Sequence, residues 1–97
     1  MPSYRVVVAV GVLNPSTDPA DVVPSAAQAA GALATVEATD LDVVRGEARV
    51  TVRFTTDTDV AAAQVAQAVY HRVEELAESS PPRVTRRWGN RWYRLGR

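Results

Sequence analysis

Residues 3–12, SYRVVVAVGV, are predicted to form the strand on which the rest of the fold is built. Valine dominates the stretch, and its branched Cβ restricts χ1 and favours pleated structure. Successive side chains of a strand point to opposite faces, and here both sets are largely apolar. A strand that is apolar on both faces is typical of the centre of a sheet, so we expect neighbours on both of its sides.

Five further elements follow along the chain. Ser25 is a good N-cap, and we begin the first helix there because Pro24 would clash inside a helix that started earlier. Asp18-Pro19 offers one other helix start before it. The elements predicted after the first strand are a helix at 25–35, strands at 36–44 and 47–55, a helix from Thr58 to about Ser79, and a final strand in 83–95.

Local signals refine this scheme. Arg45-Gly46 predicts a tight turn with positive φ at Gly46, and a change of phase in the second strand predicts a bulge near Thr39-Asp40. The β-α-β-β-α-β order indicates one α+β domain over residues 1–97. We expect a ferredoxin-like sandwich, with a four-stranded antiparallel sheet, both helices on one face, and the last strand beside the first at an edge.

The charge of the chain is divided between its body and its tail. Residues 81–97, PPRVTRRWGNRWYRLGR, carry six arginines and no acidic residue, whereas residues 1–80 hold five arginines and eleven acids, a net charge of −6. This asymmetry indicates either an interaction surface or an internal electrostatic match. For the internal match we expect the arginines to pair with Glu74, Glu75 and Glu78, near the end of the second helix.

Gly89-Asn90 allows two interpretations of the tail. The tail forms either one long edge strand with a bulge at Gly89, or a hairpin whose two-residue loop is Gly-Asn. The hairpin would set Trp88 opposite Arg91 and Arg87 opposite Trp92. We favour the single strand, because its length matches the first strand and a short terminal hairpin would need extra packing.

Arginines interleaved with aromatic rings are the strongest functional signal. We expect an interaction module that self-associates, as a homodimer, or binds a protein partner through the exposed sheet face or the final edge strand. Val7 and Ala9 would form an apolar patch there with Trp88 or Trp92. The alternative is binding of single-stranded nucleic acid or another polyanion. The candidate contact residues are Arg49, Arg53, Arg86, Arg87, Trp88, Arg91, Trp92, Tyr93 and Arg94.

The sequence offers little for catalysis. Cysteine and lysine are absent, glycines form no phosphate-cradling pattern, and His71, the single histidine, has the spacing of a solvated helix face. We therefore favour a protein that is not an enzyme, and we expect no catalytic residue, no cofactor and no metal. The enzyme that stays open as a third hypothesis would act on a small acidic substrate held by arginines. The absence of cysteine and of an apolar run long enough for a membrane span predicts a cytoplasmic protein.

Overall fold

The computed structural model describes residues 1–95, and Arg97, the sixth arginine of the tail, lies outside the described residues. Within them the protein is an α+β fold with two helices and an antiparallel sheet of six strands. The strands are β1 Ser3–Leu13, β2 Thr35–Val44, β3 Glu47–Thr55, β4 Ala77–Ser79, β5 Arg83–Trp88 and β6 Arg91–Arg94. The helices are α1 Val22–Gly31 and α2 Asp59–Glu74.

β1 lies at the centre of the sheet, as its two apolar faces predict. The strand order is β2-β3-β1-β5-β6, and β4 also pairs with β1. β3 runs beside β1 from Ser3 to Val10, whereas β5 and β4 share its other side, β5 near the start of β1 and β4 near its end. Both sides of β1 are therefore paired, and the free edges belong to β2, to the C-terminal hairpin and to the short strand β4.

The helix side of the sheet holds the hydrophobic core. Tyr4, Val6 and Val8 on β1 alternate with half-buried residues of the other phase, and Phe54 on β3 stacks on Tyr4 with ring centroids 5.7 Å apart. The helices cover this side with small and branched residues, Ala26 and Ala30 on α1 and Ala62, Val65, Ala66, Val69 and Val73 on α2.

The predicted start of the first helix is wrong. α1 begins at Val22, so Pro24 lies in its first turn, where the backbone N–H has no partner within the helix and its loss costs little. Asp18 caps a short 3₁₀ turn just before α1, and its Oδ1 accepts a hydrogen bond of 2.9 Å from the N–H of Ala20. The proposed helix start at Asp18-Pro19 is thus used by this turn.

α2 begins where predicted but ends earlier. Thr58 is its N-cap, and Thr58 Oγ1 accepts a hydrogen bond of 3.1 Å from the N–H of Ala61. The helix ends at Glu74 rather than Ser79, because the chain turns at Glu75-Leu76 and Ala77–Ser79 join the sheet as β4. Ala77 is buried, and it lies in a strand instead of the predicted helix.

The single final strand and the four-stranded sheet are both wrong. Pro81 and Pro82 have no N–H to donate to a ladder, and they separate β4 from β5. Gly89-Asn90 then forms the loop of a hairpin between β5 and β6, with Trp88 opposite Arg91 and Arg87 opposite Trp92. Gly89 has φ +60° and Asn90 does not have a positive φ, the pattern of a II′ turn whose twist matches that of the strands.

The bulge in β2 also differs in position, since the register shifts between Val36 and Ala38 and not at Thr39-Asp40. Ala38 is small and fits either face, so the side-chain pattern alone does not locate the shift. Beyond the bulge, Asp40 and Asp42 face away from the helices.

The turn between β2 and β3 is confirmed, with φ +54° at Arg45 and +79° at Gly46. No atom lies within 4 Å of a Cβ built on Gly46, so the strain of Gly46→Ala comes from the backbone conformation alone. We expect Gly46→Ala to lower the free energy of unfolding by about 1 kcal/mol in urea denaturation. Gly31→Ala is the matched control, because its Cβ would lie 3.8 Å from Val36 Cγ2 in ordinary contact, and it should be neutral or slightly stabilising. Equal losses in both variants would contradict this explanation.

Candidate functional site

The side of the sheet that faces away from the helices, here called the open face, carries the candidate site. Residues of β1 in the phase opposite to the core are only half-buried, and β3 and β5 present side chains to the same side through their register with β1. The open face comprises Arg5, Val7, Ala9, Ala38, Asp40, Asp42, Glu47, Arg49, Thr51, Arg53, Arg83, Thr85 and Arg87.

The strict alternation of side chains along β3 creates this surface. In β3, Val50, Val52 and Phe54 enter the core, and the residues between them must point to the open face. The polar phase of β3 is therefore displayed where neither helix packs. Arg49 and Arg53, two candidate contact residues, belong to this phase.

The C-terminal hairpin adds Trp92 to the open face. Trp92 pairs with Arg87 across the hairpin, and the guanidinium carbon of Arg5, on β1, lies over its indole ring, 3.9 Å from the ring centroid. The guanidinium of Arg53 lies 5.7 Å from the same ring. Cation–π contacts of this kind contribute about 0.5–1 kcal/mol at exposed sites. The hairpin is thus tied to the sheet by stacking as well as by its ladder.

Charges on the open face are arranged by strand. Three carboxylates lie on or beside this face from β2, namely Glu37, Asp40 and Asp42, whereas guanidinium groups lie on β3, β1 and β5. Two further carboxylates lie towards the far end of the sheet, Glu47 on β3, paired with Arg49, and Glu78 on β4, beside Gly11. The sheet therefore has an acidic side at β2 and a basic side at β5, an arrangement that the antiparallel order of the strands creates from residues far apart in the chain.

Two of the arginines are paired within the face. Arg49 Nε lies 3.1 Å from Glu47 Oε1. Arg53 Nε lies 3.4 Å from Glu37 Oε1, close enough for an ion pair, although the buried Nε makes no well-directed hydrogen bond. Both pairs are partly exposed, and such pairs contribute little to stability.

Other arginines on the face keep their charge available. Within residues 1–95, no carboxylate lies within 4.0 Å of the guanidinium groups of Arg5, Arg83 or Arg87. Arg87 Nε donates a hydrogen bond of 2.8 Å to the carbonyl of Gly89, which holds the side chain along the hairpin. Arg83 is exposed beside Pro81 and Val7.

The other phase of the tail faces the helices and has a structural role. Arg86 NH1 donates a hydrogen bond of 2.8 Å to Asp59 Oδ1 at the start of α2, and the buried Tyr4 hydroxyl donates one of 2.7 Å to the same oxygen. The guanidinium of Arg86 also lies 3.9 Å from the Trp88 ring centroid. This cluster joins β1, β5 and the first turn of α2.

Protonation in this cluster follows from its hydrogen bonds. The bonds from Tyr4 and then Arg86 hold the pKa of Asp59 below its ordinary value. Burial, followed by the hydrogen bond to Asp59, raises the pKa of Tyr4. Asp59 therefore stays ionised and Tyr4 stays protonated around neutral pH.

The expected internal partners of the tail are wrong. In the described part of the chain, the acid that a tail arginine contacts is Asp59, at the start of α2, and Glu75 pairs instead with Arg72 at 2.6 Å. The reason is the connection through β4, which puts the end of α2 beside the far end of β1 and brings the start of α2 next to β5.

The candidate contact residues are therefore divided between two sides. Arg49, Arg53, Arg87 and Trp92 share the open face. Arg86 and Trp88 lie on the helix side, and the alternation of the hairpin puts Arg91 and Tyr93 in the same phase as them. Arg94 pairs with Thr85 at the edge and lines a groove beside Asp59 and Val60 of α2.

Several charged members of the surface were missing from the candidate set, among them Arg5, Arg83 and Asp40. Arg5 shares a phase with Val7 and Ala9, so the alternation of β1 was sufficient to include it. The side of the sheet on which Arg83 and Asp40 lie depends on the pairing of β5 and β2, because the start of β5 and the bulge in β2 set the alternation of their side chains.

The centre of the open face is flanked by shallow grooves. Two open grooves flank Val7, one towards Arg49 and Arg83 and the other towards Asp40 and Arg53. Among residues 1–95, no group of three or more His, Asp or Glu side chains is arranged to hold a metal ion, and no helix is long and apolar enough to cross a membrane. His71 is exposed on α2, away from both grooves.

Comparison with known proteins returns no relative: no family model matches the chain, and neither a curated protein nor a solved structure matches it.

Proposed function

We propose that this protein is a non-catalytic interaction module that self-associates as a homodimer through its open face. The observation that carries the proposal is the half-buried apolar centre of that face, Val7 and Ala9, surrounded by side chains of both charges. A surface that mixes an apolar centre with acids and bases suits a protein surface of the same kind.

The proposal includes the finer assignment of the fold. β4 and β5 both pair with β1 on the same side, so together they occupy the position of one strand that Pro81-Pro82 interrupts. Counted as one, they complete a β-α-β-β-α-β order, and we assign the fold as ferredoxin-like with β6 added at its edge. In this arrangement the helices cover one side of the sheet and leave the other for association.

The open face has the area that a stable dimer needs. Five strands lie side by side from β2 to β6, and β1 has eleven residues. At about 4.8 Å between strands and about 3.3 Å per residue, the face measures roughly 20 by 35 Å. Two such faces in contact would bury on the order of 1,400 Å², within the range of specific interfaces.

A second candidate function is the binding of single-stranded nucleic acid or another polyanion. Arg5, Arg83 and Arg87, which have no nearby carboxylate among the described residues, favour it, as does the stacked indole of Trp92. Asp40 and Asp42 on the same face oppose it, because they would repel phosphate groups. Self-association accommodates both charges and is the function we favour.

Light scattering from low to high micromolar concentration tests self-association, and we expect a dimer at the upper end. Val7→Arg adds a charge at the apolar centre and should raise the dimer dissociation constant by about tenfold or more, whereas the isosteric Val7→Thr should change it little. Thermal unfolding of both variants as dilute monomers checks that the fold is kept.

A variant at a second apolar surface and an RNA-binding measurement on the wild type complete the test. Leu41 and Val43, both more than half exposed, share one face of β2 near the turn of the β2–β3 hairpin and form a second apolar surface. If Leu41→Arg abolishes dimers and Val7→Arg does not, association through the open face is wrong. A wild-type monomer at every concentration that binds mixed RNA, with affinity falling steeply in salt, would establish the polyanion function instead.

A further inference from the structure

One row of side chains crosses the open face from its acidic side to its basic side. Asp40 pairs with Thr51, Thr51 with Val7, and Val7 with Arg83, so the row runs without interruption over β2, β3, β1 and β5. Its ends carry opposite charges and its centre carries none. Neither Asp40 nor Arg83 takes part in an ion pair within the described residues.

We propose that two copies of this chain pack open face to open face about a two-fold axis parallel to the strands, with Asp40 of each copy opposite the partner's Arg83. This inference rests on the proposed self-association and adds its geometry. A rotation about that axis reverses the order of the strands, so β2 of one copy lies over β5 of the other. The row from Asp40 to Arg83 then lies over the same row of the partner, which runs in the opposite direction.

The reversed row is complementary at every position. Asp40 meets the partner's Arg83 at both ends, which gives two ion pairs, and Thr51 meets the partner's Val7 twice at the centre. Thr51 and Val7 are half-buried residues of similar size and shape, so the centre can close without a large void. Sheets that pack face to face keep their strands within about 30° of each other, which preserves this correspondence of rows.

The other two-fold axis in the plane of the sheet is excluded by charge. An axis perpendicular to the strands keeps their order, and β2 would then lie over β2 and β5 over β5. With this axis along the row from Asp40 to Arg83, Asp40 would meet the partner's Asp40, and Arg83 would meet the partner's Arg83. Like charges brought together in this way cost free energy, so the charge pattern selects the axis parallel to the strands.

The adjacent row contains two arginines, and the side chain of each already has a contact within its own chain. Arg53 pairs with Arg5 across β3 and β1, so the proposed axis would bring Arg53 near the partner's Arg5. Arg53 is neutralised by Glu37 at 3.4 Å, and Arg5 stacks on Trp92 at 3.9 Å. These contacts direct both guanidinium groups to groups of their own chain and limit their repulsion across the interface.

Charge reversal tests the orientation, with dimer dissociation constants measured by light scattering or analytical ultracentrifugation. Asp40→Arg and Arg83→Asp each replace two attractions by two repulsions, and each should weaken the dimer by about tenfold or more. The double variant Asp40→Arg/Arg83→Asp should restore the wild-type affinity, and so should an equimolar mixture of the two single variants. Asp57→Arg and Arg45→Asp, exposed substitutions off the open face, are the matched controls and should leave the affinity unchanged.

The outcomes separate the geometry from the proposed function. A wild-type dimer that neither single substitution weakens, or that the double variant fails to restore, would overturn the orientation and leave self-association standing. A wild-type protein that stays monomeric would overturn both. Restoration in the double variant and in the mixture, with unchanged controls, would establish the orientation.

Discussion

Phe54→Ala should lower the free energy of unfolding by about 3–5 kcal/mol, the largest effect that we expect from a single substitution in this chain. Phe54 is fully buried and stacks on Tyr4 at a centroid distance of 5.7 Å. Truncation removes the apolar contacts of the ring and leaves a cavity between sheet and helices. Small domains have a free energy of unfolding of only about 5–15 kcal/mol. A large fraction of the Phe54→Ala molecules should therefore be unfolded at low urea concentrations.

Urea denaturation followed by circular dichroism measures this effect, and Thr51→Ala is the matched control. Thr51 lies on the same strand but points to the open face. Its truncation loses only strand propensity and minor contacts, so it should cost less than about 1 kcal/mol when measured on the monomer. Similar costs for the two variants would contradict the division of β3 into a core face and a surface available for binding.

Tyr4→Phe should lower the free energy of unfolding by about 2 kcal/mol at neutral pH, the second largest effect. The substitution keeps the aromatic packing and removes the hydroxyl that donates the 2.7 Å hydrogen bond to Asp59 Oδ1. Tyr4 has no exposed surface, so water cannot replace the lost contact easily. Tyr93→Phe is the control, because Tyr93 is 48% exposed and its hydroxyl makes no side-chain hydrogen bond within the described residues. It should leave stability unchanged.

The difference between wild type and Tyr4→Phe should depend on pH in a defined direction. The pKa of Asp59 is lower in the folded chain, so the folded state binds fewer protons than the unfolded state as the pH falls past the ordinary value of 3.8. The stabilisation that Asp59 provides is therefore present above that value and is lost as the pH falls through the lower, folded pKa. The difference in free energy of unfolding between wild type and Tyr4→Phe should therefore become smaller in that acidic range.

At alkaline pH, the stabilisation that Tyr4 provides depends on pH in the opposite direction. The pKa of Tyr4 is raised above 10.0 in the folded chain, so its contribution is present below that pH and is lost as the pH rises through the folded pKa. Urea midpoints measured from acidic to alkaline pH should therefore converge at both ends. A constant difference across the whole range would show that the hydroxyl acts through packing and not through its bond to Asp59.

Local signals in the sequence were sufficient for part of this structure. The valines of β1 predicted a central strand, Thr58 predicted the start of α2, and Arg45-Gly46 predicted a tight turn, because each depends on side-chain shape or on hydrogen bonds within a few residues. The clean alternation of β3 likewise placed Arg49 and Arg53 on the face away from the core. The composition of the tail also identified Arg87 and Trp92 as residues of the candidate surface.

Competition between segments far apart in the sequence decided the fold of the C-terminal tail. The tail folds as a hairpin because β4 already occupies the far end of β1 and Pro81-Pro82 interrupt the ladder, leaving β5 only the near half of β1. That outcome sends Arg86 and Trp88 to the helix side, where Asp59 holds Arg86, and leaves Trp92 over Arg5.

The sequence by itself therefore determined which residue types could form a contact surface, through periodicity and charge. Only the tertiary structure decided which of them share a face, because a single residue of register or a single turn moves a side chain to the other side of a sheet. The acidic and basic sides of the open face, and the row from Asp40 to Arg83 that joins them, exist only once four strands are aligned.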